Sequence, residues 1–220
     1  VFGKHTPSEL DSLLAPWNET MINFGVKIIQ RRLTFVKEFH EYVDRNFKDI
    51  AGQPIVPIIT YESTLGSELP SDEVELAGLF RRKLDDAFKM EIKRGMSLIG
   101  PHRDRYHFLI PKDGNLFELK TFGSQGEQKT FLAALKLSEY MYLRDKNENG
   151  NAGEPILLLD DLFSELDKNR ISNLTVALTK FNQIFLTSTN QDYLCFLKNR
   201  FESADISAFC IKNGTAVLTN

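Results

Sequence analysis

Ile156-Leu157-Leu158-Leu159-Asp160-Asp161 is the stretch on which the fold turns. Four large apolar residues in a row are the pattern of a short strand buried on both faces, as in a parallel sheet covered by helices. Two carboxylates follow at once, at the C-terminal end of that strand, where open α/β sheets place their ligands. Adjacent acids repel unless a cation or a proton comes between them. A magnesium ion carrying phosphates meets that need. On this reading Asp160 holds the metal, through water, and Asp161 orients or polarises an attacking water. A strand running into an acidic turn or helix cap is the plainer alternative, and the segment alone leaves both open.

Working outward, a helix is expected from about Lys168 to Phe181, then a second buried strand from Gln183 to Thr187. That β-α-β order predicts a parallel pair with a right-handed crossover. Upstream, Phe122-Gly123-Ser124-Gln125-Gly126-Glu127-Gln128-Lys129 leads into a helix expected from about Glu127 to Leu143. Its two glycines allow close backbone approach, and the free N–H groups at a helix start favour an anion. The Ser124 hydroxyl and Lys129 would add donors. A flexible loop with a helix cap is the alternative. A polar loop with Asn147, Asn149, Gly150, Asn151 and Gly153 separates that helix from the apolar strand. Ser164-Glu165-Leu166-Asp167, just past the acid pair, would alone be a helix cap.

Short strands are expected at Met96–Ile99, Tyr106–Ile110 and Leu116–Leu119, with Asp113-Gly114 turning the last two into a hairpin. A second hairpin is expected from Ile206–Ile211, Asn213-Gly214 and Thr215–Leu218. Before Gly95 the texture is helical. Ser8 is placed to cap a first turn and Pro16 to break it. Trp17, Met21, Phe24, Ile28, Phe35, Phe39 and Tyr42 form one stripe of a long amphipathic helix reaching about Asp49. Its expected partner runs from Asp72, paired with Glu75 as a cap, to about Arg94, with Leu76, Phe80, Leu84 and Phe88 on one face. Ile55–Tyr61 is β-rich but holds Pro57, which suggests an edge strand. The chain therefore divides near residue 95 into a helical arm, 1–95, and an α/β portion, 96–220.

Composition bounds the function. The chain has 220 residues, 42% hydrophobic and 26% charged, which excludes a disordered or collagen-like chain. A net charge of −3 excludes a strongly basic nucleic-acid binder but leaves room for a local basic patch. The longest apolar run falls far short of the ~18 residues of a membrane helix, so no membrane association is expected. Cys195 and Cys210 lie in apolar runs and read as buried thiols. With no signal peptide expected, they point to a reducing, cytoplasmic setting. His5, His40 and His107 have no metal-ligand spacing, so no zinc site is expected.

Taken in order, the Ser124-x-Gly126-x-Gln128 loop, the Leu158-Leu159-Asp160-Asp161 strand and Ser164-Glu165-Leu166-Asp167 resemble the signature loop, Walker B strand and D-loop of an ABC-type ATPase head. With Gly100-Pro101-His102-Arg103-Asp104 and Ala134-Leu135-Lys136-Leu137, the chain is similar to the RecF family of bacterial recombination-mediator ATPases through most of residues 95–190. The match is looser in the arm, where Ile28-Ile29-Gln30-Arg31-Arg32-Leu33 fits best. Arg105 stands where that family often has a second acid. Thr187, Ser188 and Thr189 stand where many ABC ATPases carry a switch histidine.

The resemblance implies a fold: the C-terminal half of a P-loop head with a mixed or parallel sheet, plus the arm. It implies an ATPase that dimerises around ATP and Mg2+. Ser124, Gln125, Gly126 and Gln128 would meet the γ-phosphate held by the other subunit. Asp160 would serve the metal, Asp161 would be the general base, and Asp167 would lie at the dimer seam. It implies single-stranded and gapped double-stranded DNA as partners, with RecR- and RecO-type proteins, in loading recombinase and supporting the SOS response. The sequence holds no Gly-x-x-x-x-Gly-Lys-Ser/Thr. Gly3-Lys4-His5-Thr6 has His5 where the hydroxyl residue belongs. The family places that loop in a lobe upstream, so the chain is expected to be a fragment lacking it and inactive by itself.

For DNA phosphates the candidates are Arg31, Arg32, Arg81, Arg82, Lys83, Lys93, Arg94 and Arg103, in three clusters that solvated helix faces would also explain. Three other readings stand beside the ATPase. One is a metal-dependent nuclease or topoisomerase-primase-like domain using Asp160 and Asp161 on DNA. Another is an ABC-type head from a different DNA-repair or phage-defence family. The last is an interaction module without catalysis.

Overall fold

The computed structural model describes residues 6–53, 55–147, 153–201 and 206–219. Gly3-Lys4-His5 and the Asn149-Gly150-Asn151 loop lie outside the described residues. The chain forms two compact units, one of residues 1–38 and 58–108, the other of residues 39–57 and 109–220. It is a mixed α/β chain, helical with small sheets.

The first helix, α1, runs unbroken from Pro7 to Ala51 with Pro16 inside it. Its cap is Thr6, not Ser8: the Thr6 N–H donates to Glu9 Oε2 at 2.7 Å, and the Glu9 N–H donates to Thr6 Oγ1 at 3.4 Å. Pro16 is exposed, so its ring projects into solvent and the turns on either side carry the helix across it. The expected apolar stripe is buried only in part: Phe39 is buried, and Met21 packs against the core of the first unit. Trp17, Phe24 and Ile28 are exposed at 73%, 64% and 43%. The buried seam of the first unit is Ile22, Val26 and Ile29, one step round the helix.

What selects that seam is α2, Glu73–Arg94, capped by Asp72, whose Oδ1 accepts from the Glu75 N–H, and closed by Gly95 in the left-handed region at φ 65°. Leu76, Phe80 and Leu84 are buried on its face as the four-residue spacing predicts. They form one core with Ile22, Val26, Ile29 and Leu65. Gly25 makes the approach possible, since a Cβ there would lie 2.5 Å from the Phe80 ring.

Strand β1, Ile58–Glu62, starts just after Pro57 and is an edge of the sheet β1-β2-β3. β2, Arg105–Lys112, and β3, Asn115–Glu118, form the expected antiparallel hairpin, with Asp113 and Gly114 both at positive φ. Residues 96–99 are not a strand. The Glu91 carboxylate accepts from the Leu98 and Ile99 N–H groups and the Ser97 hydroxyl, taking the place a neighbouring strand would fill.

In the second unit, the short helix α3, Leu119–Phe122, and α4, Gln125–Lys146, precede β4, Leu157–Asp160. α5, Lys168–Leu178, then leads to β5, Ile184–Thr187, parallel to β4. α6, Asp192–Arg200, and the hairpin β6–β7, Ala208–Lys212 and Thr215–Thr219, follow. α4 is buried from Thr130 to Tyr142 on most sides. Phe47 of α1 meets Phe131, and buried Asn46 donates to Ser138 Oγ at 2.9 Å.

Strand β4 is covered on one face only. Leu157 and Leu159 are buried, while Ile156, Leu158 and Phe185 are more than half exposed. Cys195 is exposed and Cys210 half-buried, and both are free thiols; α6 buries no residue. Among the described residues, no helix is long and apolar enough to cross a membrane.

The two stripes of α1 separate cleanly by mutation. Ile22→Ala is expected to destabilise the first unit by about 2–5 kcal/mol, and Trp17→Ala by no more than about 0.5 kcal/mol. Urea denaturation of both variants against the parent checks this.

Candidate functional site

The acid pair and the Gly-Ser loop come together in the second unit. β4 and β5 pair in the register Leu157↔Ile184 to Asp160↔Thr187, which brings both strand ends level. Thr187 Oγ1 donates a hydrogen bond to Asp160 Oδ1. Asp161 is the first residue past the strand, in the left-handed region at φ 47°. Its N–H donates to the Thr187 carbonyl and hydroxyl oxygens, both at 3.2 Å. Asp160 is exposed, whereas Asp161 Oδ1 is buried with no hydrogen-bond partner. A buried carboxylate oxygen without a donor is costly, and a cation or a bound water is the natural complement.

Ser124 caps α4 in a reciprocal capping box. Its Oγ accepts from the Glu127 N–H at 3.2 Å, and its own N–H donates to Glu127 Oε2 at 2.7 Å. Gln128 stitches the loop through its Nε2 to the Gly123 and Lys120 carbonyls. Gln125 and Ser124 are exposed at the helix start. Burial pushes the Glu127 carboxyl up, but the Ser124 N–H and hydroxyl and the Lys112 ammonium outweigh it and hold the group below its ordinary value. Gly123 has no room for a side chain, since a Cβ would meet the Leu119 carbonyl at 2.5 Å.

Three side chains tie this corner together. Lys129 Nζ donates to Ser164 Oγ at 3.2 Å and to the Asp161 carbonyl at 3.5 Å. The Ser164 hydroxyl donates to the same carbonyl at 2.9 Å. Arg170 Nη1 lies where a Cβ on Gly126 would be, 2.6 Å away, and its Nε stands 3.4 Å from Asp167 Oδ2. Asp167 also caps α5 through Oδ1. The first turn of α4, the end of β4 and the loop before α5 thus share one corner. Lys129 faces the backbone of that loop and not the anion that its place after the two glycines suggests. Arg170, three residues past Asp167, and the pairing of Thr187 with Asp160 were missed; the only signals were helix spacing and the parallel strand order.

The basic candidates all lie in the first unit. Arg31, Arg82, Lys93, Arg94 and Arg103 are exposed, and Lys83 is half-exposed. Arg81 is spent in a two-pronged pair with Glu19, at 2.8 and 3.0 Å. Arg32 donates to the Pro101 carbonyl at 2.6 Å and stands 4.0 Å from the fully buried carboxylate of Asp104. Burial and the hydrogen bond to Asp104 raise the Tyr61 hydroxyl well above its ordinary pKa.

No family model matches the chain. It is 37% identical to "DNA replication and repair protein RecF" of Chlorobium phaeovibrioides over 187 residues, 84% of this chain and 48% of that protein. The chain is homologous to RecF. The same protein of Halothermothrix orenii is 33% identical over 204 residues, 92% of this chain and 51% of the relative. The chain thus spans about half the length of the curated RecF relatives it matches. In fold it matches the solved structure of the recombination mediator RecF of the RecFOR pathway in its ATP complex, with a TM-score of 0.69, 24% identity, and coverage of 95% of this chain and 51% of that one. A second RecF structure, named as a complex with an ATP analogue, gives a TM-score of 0.71 at 23% identity.

The Glu127 shift has a testable sign. A carboxyl held low in the folded state contributes stability above its ordinary pKa, near 4.3. That contribution is lost as pH falls through the folded value. Glu127→Gln is therefore expected to lower the melting temperature at pH 7, with the difference from the parent shrinking as the pH falls below the ordinary carboxylate range, in melts recorded across pH.

Proposed function

We propose that the chain is the part of a RecF-type ATPase that carries the signature loop, the Walker B strand and the D-loop. In fold terms it is the C-terminal half of an ABC-type head, with residues 1–95 as a helical arm. The observation that carries this is the end of β4: an acid bonded to Thr187, followed by an acid with a buried, unpartnered oxygen. The capped start of α4 stands in the same unit, joined to it through Lys129.

When bound, Mg-ATP would supply the phosphoanhydride bond, and its magnesium the positive charge that offsets the two acids. Asp160, held by Thr187, would hold the metal. Asp161 Oδ1 would accept a proton from the water that attacks the γ-phosphorus. Ser124, Gln125, Gly126 and Gln128 would present the α4 start to the γ-phosphate of a second subunit, with N–H groups the helix itself leaves open. Asp167 would lie at the seam between subunits. Dimerisation on ATP would set affinity for single-stranded and gapped DNA in the cytoplasm, with RecO- and RecR-type partners, and hydrolysis would reset it.

The test uses the complete protein. Asp161→Asn is expected to keep ATP binding while hydrolysis falls by about 10²–10⁴, so the ATP-bound dimer persists. Asp160→Asn is expected to weaken both nucleotide binding and dimer formation. Single-turnover ATPase rates and sedimentation in ATP distinguish the two. Hydrolysis by Asp161→Asn at the parent rate, or metal-dependent DNA cleavage lost in both variants without need of ATP, would sink the reading.

A further inference from the structure

A hollow of about 270 Å³ in the first unit is lined by Glu62, Ser63, Thr64, Leu98, Arg103 and Arg105. Its size is below the roughly 300 Å³ at which small-molecule pockets begin, so it suits a single group rather than a whole ligand. Two guanidinium side chains on its wall are the donors of an anion site.

The charge balance around the hollow decides its sign. The Asp104 carboxylate is fully buried, takes hydrogen bonds from the Tyr61 hydroxyl and from the Thr64 N–H and Oγ1, and faces Arg32. Glu91 is consumed by Ser97, Leu98 and Ile99. Glu62 is paired with His107 Nε2 at 2.6 Å. Each of these acids has hydrogen-bond donors already, and the charge of Asp104 is met by Arg32. Arg103 is held in place by Nε donating to the Ser97 carbonyl at 2.9 Å and by Nη2 against Met96 Sδ at 3.3 Å, which leaves Nη1 for a ligand. Arg105 has no carboxylate within ion-pairing distance among the described residues.

The loop that carries Arg103 and leads into Arg105 at the start of β2 is also tied down. Thr64 Oγ1 accepts from the Gly100 N–H at 2.9 Å, the Arg103 N–H returns to the Gly100 carbonyl at 2.9 Å, and Gly100 itself sits at φ 128°. A site whose donors are oriented before binding loses little entropy on binding.

We infer that this hollow binds one phosphodiester of a nucleic-acid backbone, with Arg103 and Arg105 as its donors. The choice of nucleic acid as the source of the phosphate rests on the DNA-directed reading above. A free nucleotide phosphate shares the chemistry, and the experiment separates the two.

The experiment is an anisotropy titration of a labelled duplex with a single-stranded overhang, at salt from 50 to 200 mM, and in parallel of a fluorescent ATP analogue. Each phosphate contact adds about one to the slope of log K against log salt. Arg105→Gln is expected to weaken DNA binding several-fold and to lower that slope by about 1, equally for different DNA sequences. Arg105→Lys is expected to keep the slope, and Lys136→Gln, a charge loss on α4, to leave it unchanged. Arg103→Gln should act in the same direction; Arg105→Gln, whose side chain holds no loop bond, keeps the test valid if the Arg103 variant unfolds in a melt. Parent-like slopes in Arg105→Gln overturn the inference, as does a loss confined to the ATP analogue. Failure of the parent itself to bind DNA would bring down the functional reading, and the inference with it.

Discussion

The parallel register that sets Asp160 opposite Thr187 is the constraint from which the site follows. A parallel pair needs a crossover, and α5 supplies it. The crossover obliges the chain to turn sharply at Asp161, and it does so with a left-handed residue that is not glycine. The turn hides Asp161 Oδ1 and points its N–H at Thr187. The loop that follows is then anchored on Lys129, so the start of α4 and the loop before α5 are positioned by the strand end.

The same economy governs the first unit. α1 and α2 meet through Gly25 and Phe80, and the loop after α2 is fastened by the buried carboxylate of Asp104 and the half-buried one of Glu91. Buried carboxylates are tolerated only when paired and hydrogen-bonded. Here Arg32, Tyr61 and Thr64 meet that condition for Asp104, and backbone N–H groups meet it for Glu91. A polar knot of this kind holds a loop in one shape without the aid of a strand.

Several elements were legible because their signals are local. Asp72 as a cap, Gly95 as a stop, Asp113-Gly114 and Asn213-Gly214 as hairpin turns all depend on backbone preferences of the residues themselves. Ser124 caps α4 for the same reason, so the helix starts at Gln125, two residues ahead of the expected Glu127. Less legible were features set by a distant partner. Residues 96–99 look like a strand, yet Glu91 takes their hydrogen bonds. Trp17, Phe24 and Ile28 look like a core stripe, yet the small residue that admits α2 is Gly25, on the neighbouring face. Leu158 and Phe185 look doubly buried, yet one side of their sheet is bare in this chain.

By itself the sequence determined the α/β order of the second half, the two hairpins, and the cap and stop of α2 at Asp72 and Gly95. Each of these rests on residues within a few positions of one another, where φ, ψ and hydrogen-bond preferences act directly. Only the tertiary structure decided which stripe of α1 is buried and which acid keeps an oxygen unpartnered. It also decided that Lys129 faces Ser164, that Arg81 and Arg32 are spent in internal pairs, and that Arg103 and Arg105 border one hollow. Those outcomes depend on which charges and surfaces meet across long sequence separations, and a linear chain does not carry that information in any local pattern.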